Sequence, residues 1–196
     1  MDPIRTVAVR AEEVDMIRSI GLGEYAVGRD VQEDWAIYGL GSCVGLILCE
    51  PTTRVLAMAH VVLPVSPSPD PEQPARYGDT VVPFLLEEMK KLGAVTEHVM
   101  AQLAGGARMF EISGVAGDIG RRNVESVRSS LARHGVPVTA EEVGGASGRT
   151  LRWHAKTRLA VVSRFGAPDV ILTPDRCRVG GSWTDGRVVK NSTEPR

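Results

Sequence analysis

Two apolar runs, CVGLILC at residues 43–49 and VLAMAHVVL at 55–63, flank the short polar stretch EPTTR. Each is brief and closed off by Gly, Pro or charge, which is the pattern of a β-strand. A turn centred on EPTTR folds the two into a hairpin. Counting outward, Cys43 and His60 then sit about nine and eight positions from the turn, on strand regions lying side by side.

The rest of the chain fills in around this pair. YAV, WAIY, HVMAQLA, VPVTAEEV, TLRWHA, RLAVVS and DVILT are further short β segments with punctuated ends. Helical periodicity is confined to two stretches. In GDTVVPFLLEEMKKLGA, Asp79 or Thr80 can cap the start, Val82, Leu85, Leu86, Met89 and Leu92 share a face, and Gly93 stops it. In RNVESVRSSLARHGVP, Asn123 is the expected cap, Val124, Val127 and Leu131 form the stripe, and Gly135 and Pro137 end it. Many strands and two helices predict an α+β fold, sheets covered by helices on one side. Residues 64–79, with five prolines, are expected to be an exposed loop just after His60.

A length of 196 residues suits one domain. We expect an N-terminal extension at 1–16, a folded domain at 17–173 and a polar tail at 174–196. The formal net charge of -1 gives no electrostatic reason to expect nucleic acid or a membrane surface as partner. No apolar stretch approaches a membrane span and no secretory signal is evident, so a cytoplasmic setting is the expectation. Three cysteines without a CxxC pair, and four scattered histidines, predict neither a disulfide framework nor a metal site.

Cys43 lies in GLGSCVG, where Gly39, Gly41 and Gly45 let backbone amides crowd around the sulfur. Such amides lower a thiol's pKa and can hold an oxyanion. The alternative is a cysteine packed in a buried strand. The G-x-nucleophile-x-G spacing of an α/β-hydrolase elbow is present, but a strand-like LILCEP follows it instead of a helix. His60 is either a hydrogen-bonded strand histidine or, through the hairpin, the partner of Cys43. AGGARMF at 104–110 has no phosphate-cradle spacing and reads as a tight turn approaching another backbone. Arg121 and Arg122 are either solvated or contacts for an acidic partner.

Taken together, GLGEYAV (21–27), GLGSCVG (39–45), AMAHVVLP (57–64), RYGDT (76–80), AGGARMF (104–110), IGRRNVESV (119–127) and EEVGG (141–145) resemble the CheD family in order and spacing. The resemblance spans roughly residues 20 to 165. It implies an α/β/β sandwich related to the catalytic core of the cytotoxic necrotizing factor deamidases. It also implies hydrolysis of glutamine side chains to glutamate on methyl-accepting chemotaxis receptors. By that resemblance Cys43 is the nucleophile and His60 the base. The backbone around Gly41, Ser42 and Val44 frames the oxyanion, and no cofactor or metal takes part. Arg76, Tyr77, Arg121, Arg122 and Asn123 fall at positions suited to substrate or partner. A CheC-type phosphatase is the second partner the family implies. A threonine holds the family's third catalytic position, six residues before the cysteine, and here that residue is Ile37. Tyr38 and Ser42 are the nearby polar side chains. Two alternatives follow: a pathway binding module without strong catalysis, and a receptor glutamate methylesterase using the same thioester chemistry.

Overall fold

The two apolar runs pair residue by residue. In the computed structural model, which describes residues 16–108 and 118–172, β4 (Val44–Glu50) and β5 (Val55–Val61) form the predicted hairpin. Glu50 pairs with Val55 at its closed end, and Gly45 with His60 near its open end. The turn is tied by the Glu50 carboxylate, which accepts from the N–H groups of Thr52 and Thr53, both at 2.8 Å.

The hairpin lies inside a five-stranded sheet of order β2-β5-β4-β6-β7. Its other strands are β2 (Tyr25–Arg29), β6 (Met100–Gly105) and β7 (Val138–Val143). A second sheet holds β1 (Ile17–Ser19), β3 (Asp34–Leu40), β8 (Arg149–His154), β9 (Leu159–Arg164) and β10 (Ala167–Ile171), in the order β1-β3-β8-β9-β10. The short β1, parallel to β3, is the strand that the sequence pattern did not single out.

Every residue of β4 and β5 is buried because both faces of that sheet are covered. Val44, Leu46, Leu48, Ala57, Ala59 and Val61 face α1 (Val81–Lys91) and α2 (Ile119–Arg133). Ile47, Cys49, Leu56 and Met58 face the second sheet, against Trp35, Ile37, Leu40, Leu151 and Trp153. Strand alternation divides one apolar run between two cores. The result is the three-layer α+β arrangement, helices on sheet on sheet.

Both helices end where glycine was expected to end them, at Gly93 with φ +85 and Gly135 with φ +68. Their starts meet expectation only in part, Thr80 being the N-cap residue of α1 without a side-chain cap bond. Thr80 precedes α1 but its hydroxyl donates to the Pro74 carbonyl, and Asp79 accepts the Ser66 N–H instead of capping. The second helix begins at Ile119, after Asp118, so Asn123 lies inside it and is not its cap. Residues 64–79 are likewise more ordered than a loose loop. A 3-10 turn, Pro74–Arg76, buries Ala75, and Ser126 on α2 donates to the Pro64 carbonyl. Of the expected terminal segments 1–16 and 174–196, all but Met16 lie outside the described residues, Cys177 included.

Candidate active site

His60 gives its N–H to the Glu24 carbonyl and its C=O to the Gly23 N–H, both at 3.0 Å. Its backbone therefore faces the β2 side, which makes Gly45 its non-hydrogen-bonded partner across the hairpin. In such pairs the Cα atoms come within about 4.5 Å. Cys43 lies two residues before Gly45, on the loop entering β4, packed against the same inter-sheet core that Gly45 faces.

Glycine is required at position 45 for a reason other than amide access. A Cβ there would meet Leu151 Cδ2 at 2.7 Å, Leu40 Cδ1 at 3.0 Å and Ile37 Cδ1 at 3.4 Å. These three side chains of the second sheet pack against Gly45 in the inter-sheet core.

His60 is buried, with 4% of its surface exposed. Its Nδ1 lies 3.3 Å from the Ile20 carbonyl, which can only accept, so Nδ1 carries the proton and Nε2 the lone pair. That Nε2 is buried and has no hydrogen-bond partner among the described residues. Burial pushes the imidazole pKa down, against smaller upward pulls from the Ile20 hydrogen bond and the Glu24 charge. Cys43 is half-buried and carries a free thiol. Burial pushes its pKa up, and the Arg76 guanidinium partly offsets this. Both shifts favour the neutral forms, a thiol at Cys43 and an imidazole at His60 whose unpartnered nitrogen can take a proton.

Three successive carbonyls hold the cysteine loop. Ala107 N–H donates to Gly41 and Gly106 N–H to Cys43, each at 2.7 Å, and Asn123 Nδ2 donates to Ser42 at 2.9 Å. In a planar trans peptide the next N–H points the opposite way, so the amides of Ser42 and Cys43 face away from these anchors. The Val44 amide is placed differently from expectation. Because His60 turns its backbone to β2, Val61 turns to β4 and forms the hydrogen-bonded pair with Val44. That N–H belongs to the sheet ladder. The AGGA turn does approach another backbone, since a Cβ on Gly105 would run into the Cys43 carbonyl.

The remaining candidates separate. Arg76 is close enough for its charge to act on Cys43, and its carbonyl accepts the N–H groups of Val62 at 2.9 Å and Leu63 at 3.1 Å. Tyr77 is part of that frame, its carbonyl receiving Thr80 and Val81. Arg121 is exposed but engaged with Asp118 and Glu125 on its own helix. Arg122 is exposed. Asn123 is fully buried, which removes it from any contact surface. Ile37 is fully buried against Gly45, and Tyr38 is 52% exposed, so the tyrosine does not substitute for it between the sheets. The pieces that residue patterns did not flag are main-chain ones, the Ile20 carbonyl and the Gly23–Glu24 turn, which have no side-chain signature. Among the described residues, no three His, Cys, Asp or Glu side chains are grouped to hold a metal ion.

Comparison with known proteins adds to this geometry. The family model described as CheD chemotactic sensory transduction matches residues 62–164. The chemoreceptor glutamine deamidase CheD of Thermotoga maritima is 42% identical over 151 residues, covering 77% of this chain and 94% of that one. The probable chemoreceptor glutamine deamidase CheD of Symbiobacterium thermophilum is 42% identical over 154 residues, covering 76% and 93%. Among solved structures, the Bacillus licheniformis hypothetical protein YfiH superposes with a TM-score of 0.42 at 10% identity, over 67% of this chain and 60% of that one. That last likeness is too slight to bear on fold or function.

Proposed function

This chain belongs to the CheD family, and from that premise we propose that it hydrolyses the side-chain amide of particular chemoreceptor glutamines to glutamate. The observation that supports the reading is the buried, unpartnered Nε2 of His60, whose strand position pairs with Gly45, two residues after Cys43. His60 Nε2 takes the Cys43 proton as the sulfur attacks the carboxamide carbon. The amides of Ser42 and Cys43, facing away from their anchored carbonyls, hold the oxyanion. The imidazolium returns its proton to the leaving ammonia. A water, deprotonated by the same nitrogen, then hydrolyses the thioester, releasing glutamate and restoring the thiol.

The same reading takes residues 17–173 as the deamidase domain, with a core of the cytotoxic necrotizing factor type, acting in the cytoplasm. No helix among the described residues is long and apolar enough to cross a membrane. Arg76 stands at the cysteine as the cation that meets the substrate, and a CheC-type phosphatase is a second partner. Ile37 favours one further reading, a weak catalyst that acts in the pathway by binding, since an isoleucine offers no hydrogen bond where the family resemblance places a threonine. The test is to incubate the protein with a receptor cytoplasmic fragment carrying both glutamine and glutamate methyl ester. Ammonia release supports the deamidase. Methanol release alone replaces it with a methylesterase, and neither product, with tight binding retained, replaces it with the binding module.

A further inference from the structure

The cysteine and histidine come from two different segments of the hairpin, and one buried side chain bonds a neighbour of each. Asn123 Nδ2 donates to the Ser42 carbonyl at 2.9 Å and to the Val62 carbonyl at 3.0 Å. Ser42 immediately precedes Cys43, and Val62 is two residues beyond His60. Two carbonyls can only accept, so the amide nitrogen must face them. The other atom, Oδ1, is buried without a partner among the described residues. This is an unusual expense for a fully buried polar side chain.

The helix is seated so that Asn123 reaches both. Gly120 lies against the chain after β6, where a Cβ would meet the Gly106 and Ala107 carbonyls at 2.7 Å. Gly106 has no room for a side chain either, because Val124 occupies that space. The segment that anchors the Gly41 and Cys43 carbonyls is therefore also the platform for the start of α2. No other side chain in the described residues donates to both the loop before Cys43 and the strand after His60.

We propose that Asn123 is a positioning residue for the Cys43–His60 pair. It sets the separation of thiol and imidazole by fixing Ser42 and Val62 to one nitrogen. The proposal rests on the reading of Cys43 and His60 as the reacting pair. It predicts a loss in the chemical step and not in substrate binding, since misplacing reacting groups by about 1 Å can cost about 100-fold in rate.

The experiment is a double-substitution cycle on the full chain, following Cys43 alkylation by iodoacetamide at fixed pH, with Cys43→Ala identifying the labelled site. On the native background His60→Gln slows alkylation by about 10-fold or more, because the base is gone. On an Asn123→Leu background, which keeps the volume and removes the donor, the same His60→Gln change slows it less than about 2-fold. Asn123→Asp, which sets an oxygen against two carbonyls, behaves as Asn123→Leu does. With a receptor fragment as substrate, both variants lower kcat by about 100-fold and leave KM within about 2-fold. Should those two not fold, Asn123→Ser retains one donor and reads the same cycle at reduced amplitude. Equal slowing by His60→Gln on both backgrounds, with kcat unchanged, overturns the proposal. A native chain that shows the cycle yet deamidates no receptor glutamine refutes the deamidase reading and leaves the clamp standing.

Discussion

A half-buried thiol is a weak nucleophile until its proton has somewhere to go. Burial raises the Cys43 pKa and lowers that of His60, and both shifts disfavour a stored thiolate–imidazolium pair. With His60→Gln, the iodoacetamide reactivity of Cys43 is therefore expected to climb with pH through a midpoint above the ordinary thiol value of about 8.5. In the native chain His60, as proton acceptor, carries the reaction at lower pH. A midpoint near neutrality in the variant contradicts this. Deamidation itself should follow neutral His60, so the acid limb of kcat/KM falls below the ordinary imidazole value of about 6.5. Ile37 gives a second prediction at this scale. Ile37→Thr buries a hydroxyl in the inter-sheet wall and should cost about 1–3 kcal/mol of stability in denaturant titration. It also puts an oxygen beside Gly45, and kcat is expected to rise. A kcat that falls along with stability removes any catalytic meaning from that position.

At the scale of elements, the site depends on a glycine-bearing strand end pressed onto the cysteine loop. Gly105 has φ +107, and a Cβ there would collide with the Cys43 carbonyl. Gly39 has φ +68, but nothing lies within 4 Å of its Cβ position. Gly39→Ala should then cost only the left-handed backbone penalty of about 1–2 kcal/mol. Gly105→Ala adds displacement of the Cys43 loop, so it should lose more stability and most of the activity. Equal losses in the two variants, measured by thermal unfolding, would remove the special role of the Gly105 contact. These elements also mark how far the residue pattern reached. The hairpin was legible because its apolar runs and polar turn are local signals, and so were the helix ends at Gly93 and Gly135. The start of α2 was not, because Asn123 has the chemistry of a cap and is instead recruited by carbonyls 61 and 81 residues away in the chain. The ladder position of the Val44 N–H was not legible for a similar reason. Whether its N–H is open depends on which way the His60 backbone turns, and that is fixed by the distant Gly23–Glu24 turn. Glycine at 45 was read as freedom for amides, whereas the second sheet demands it.

At the scale of the molecule, three layers bury His60 beside an apolar inter-sheet core against which Cys43 packs. The charge buried with that core makes stability pH-dependent. His60 titrates below its unfolded value, so the unfolded chain binds its proton first, and stability falls as pH drops below about 6.5. Burial pushes the Asp34 carboxyl up, but the Ala155 N–H, Arg152 and His154 more than reverse this. Glu50 is likewise raised by burial and brought below the usual range by the hydroxyl of Thr53 and the N–H groups of Thr52 and Thr53. Both carboxylates add stability above their unfolded values that is lost as pH falls through about 4 and below. Urea midpoints should accordingly decline in two stages on acidification, with His60→Gln abolishing the upper one. A midpoint flat from pH 7 to 5 contradicts the buried neutral imidazole. The central claim is tested most directly by mass spectrometry of a receptor cytoplasmic fragment after incubation with the protein. The account predicts a gain of about one dalton per glutamine converted to glutamate, absent with Cys43→Ala and with His60→Gln. The same gain from Cys43→Ala, or no gain from the native chain, would contradict it.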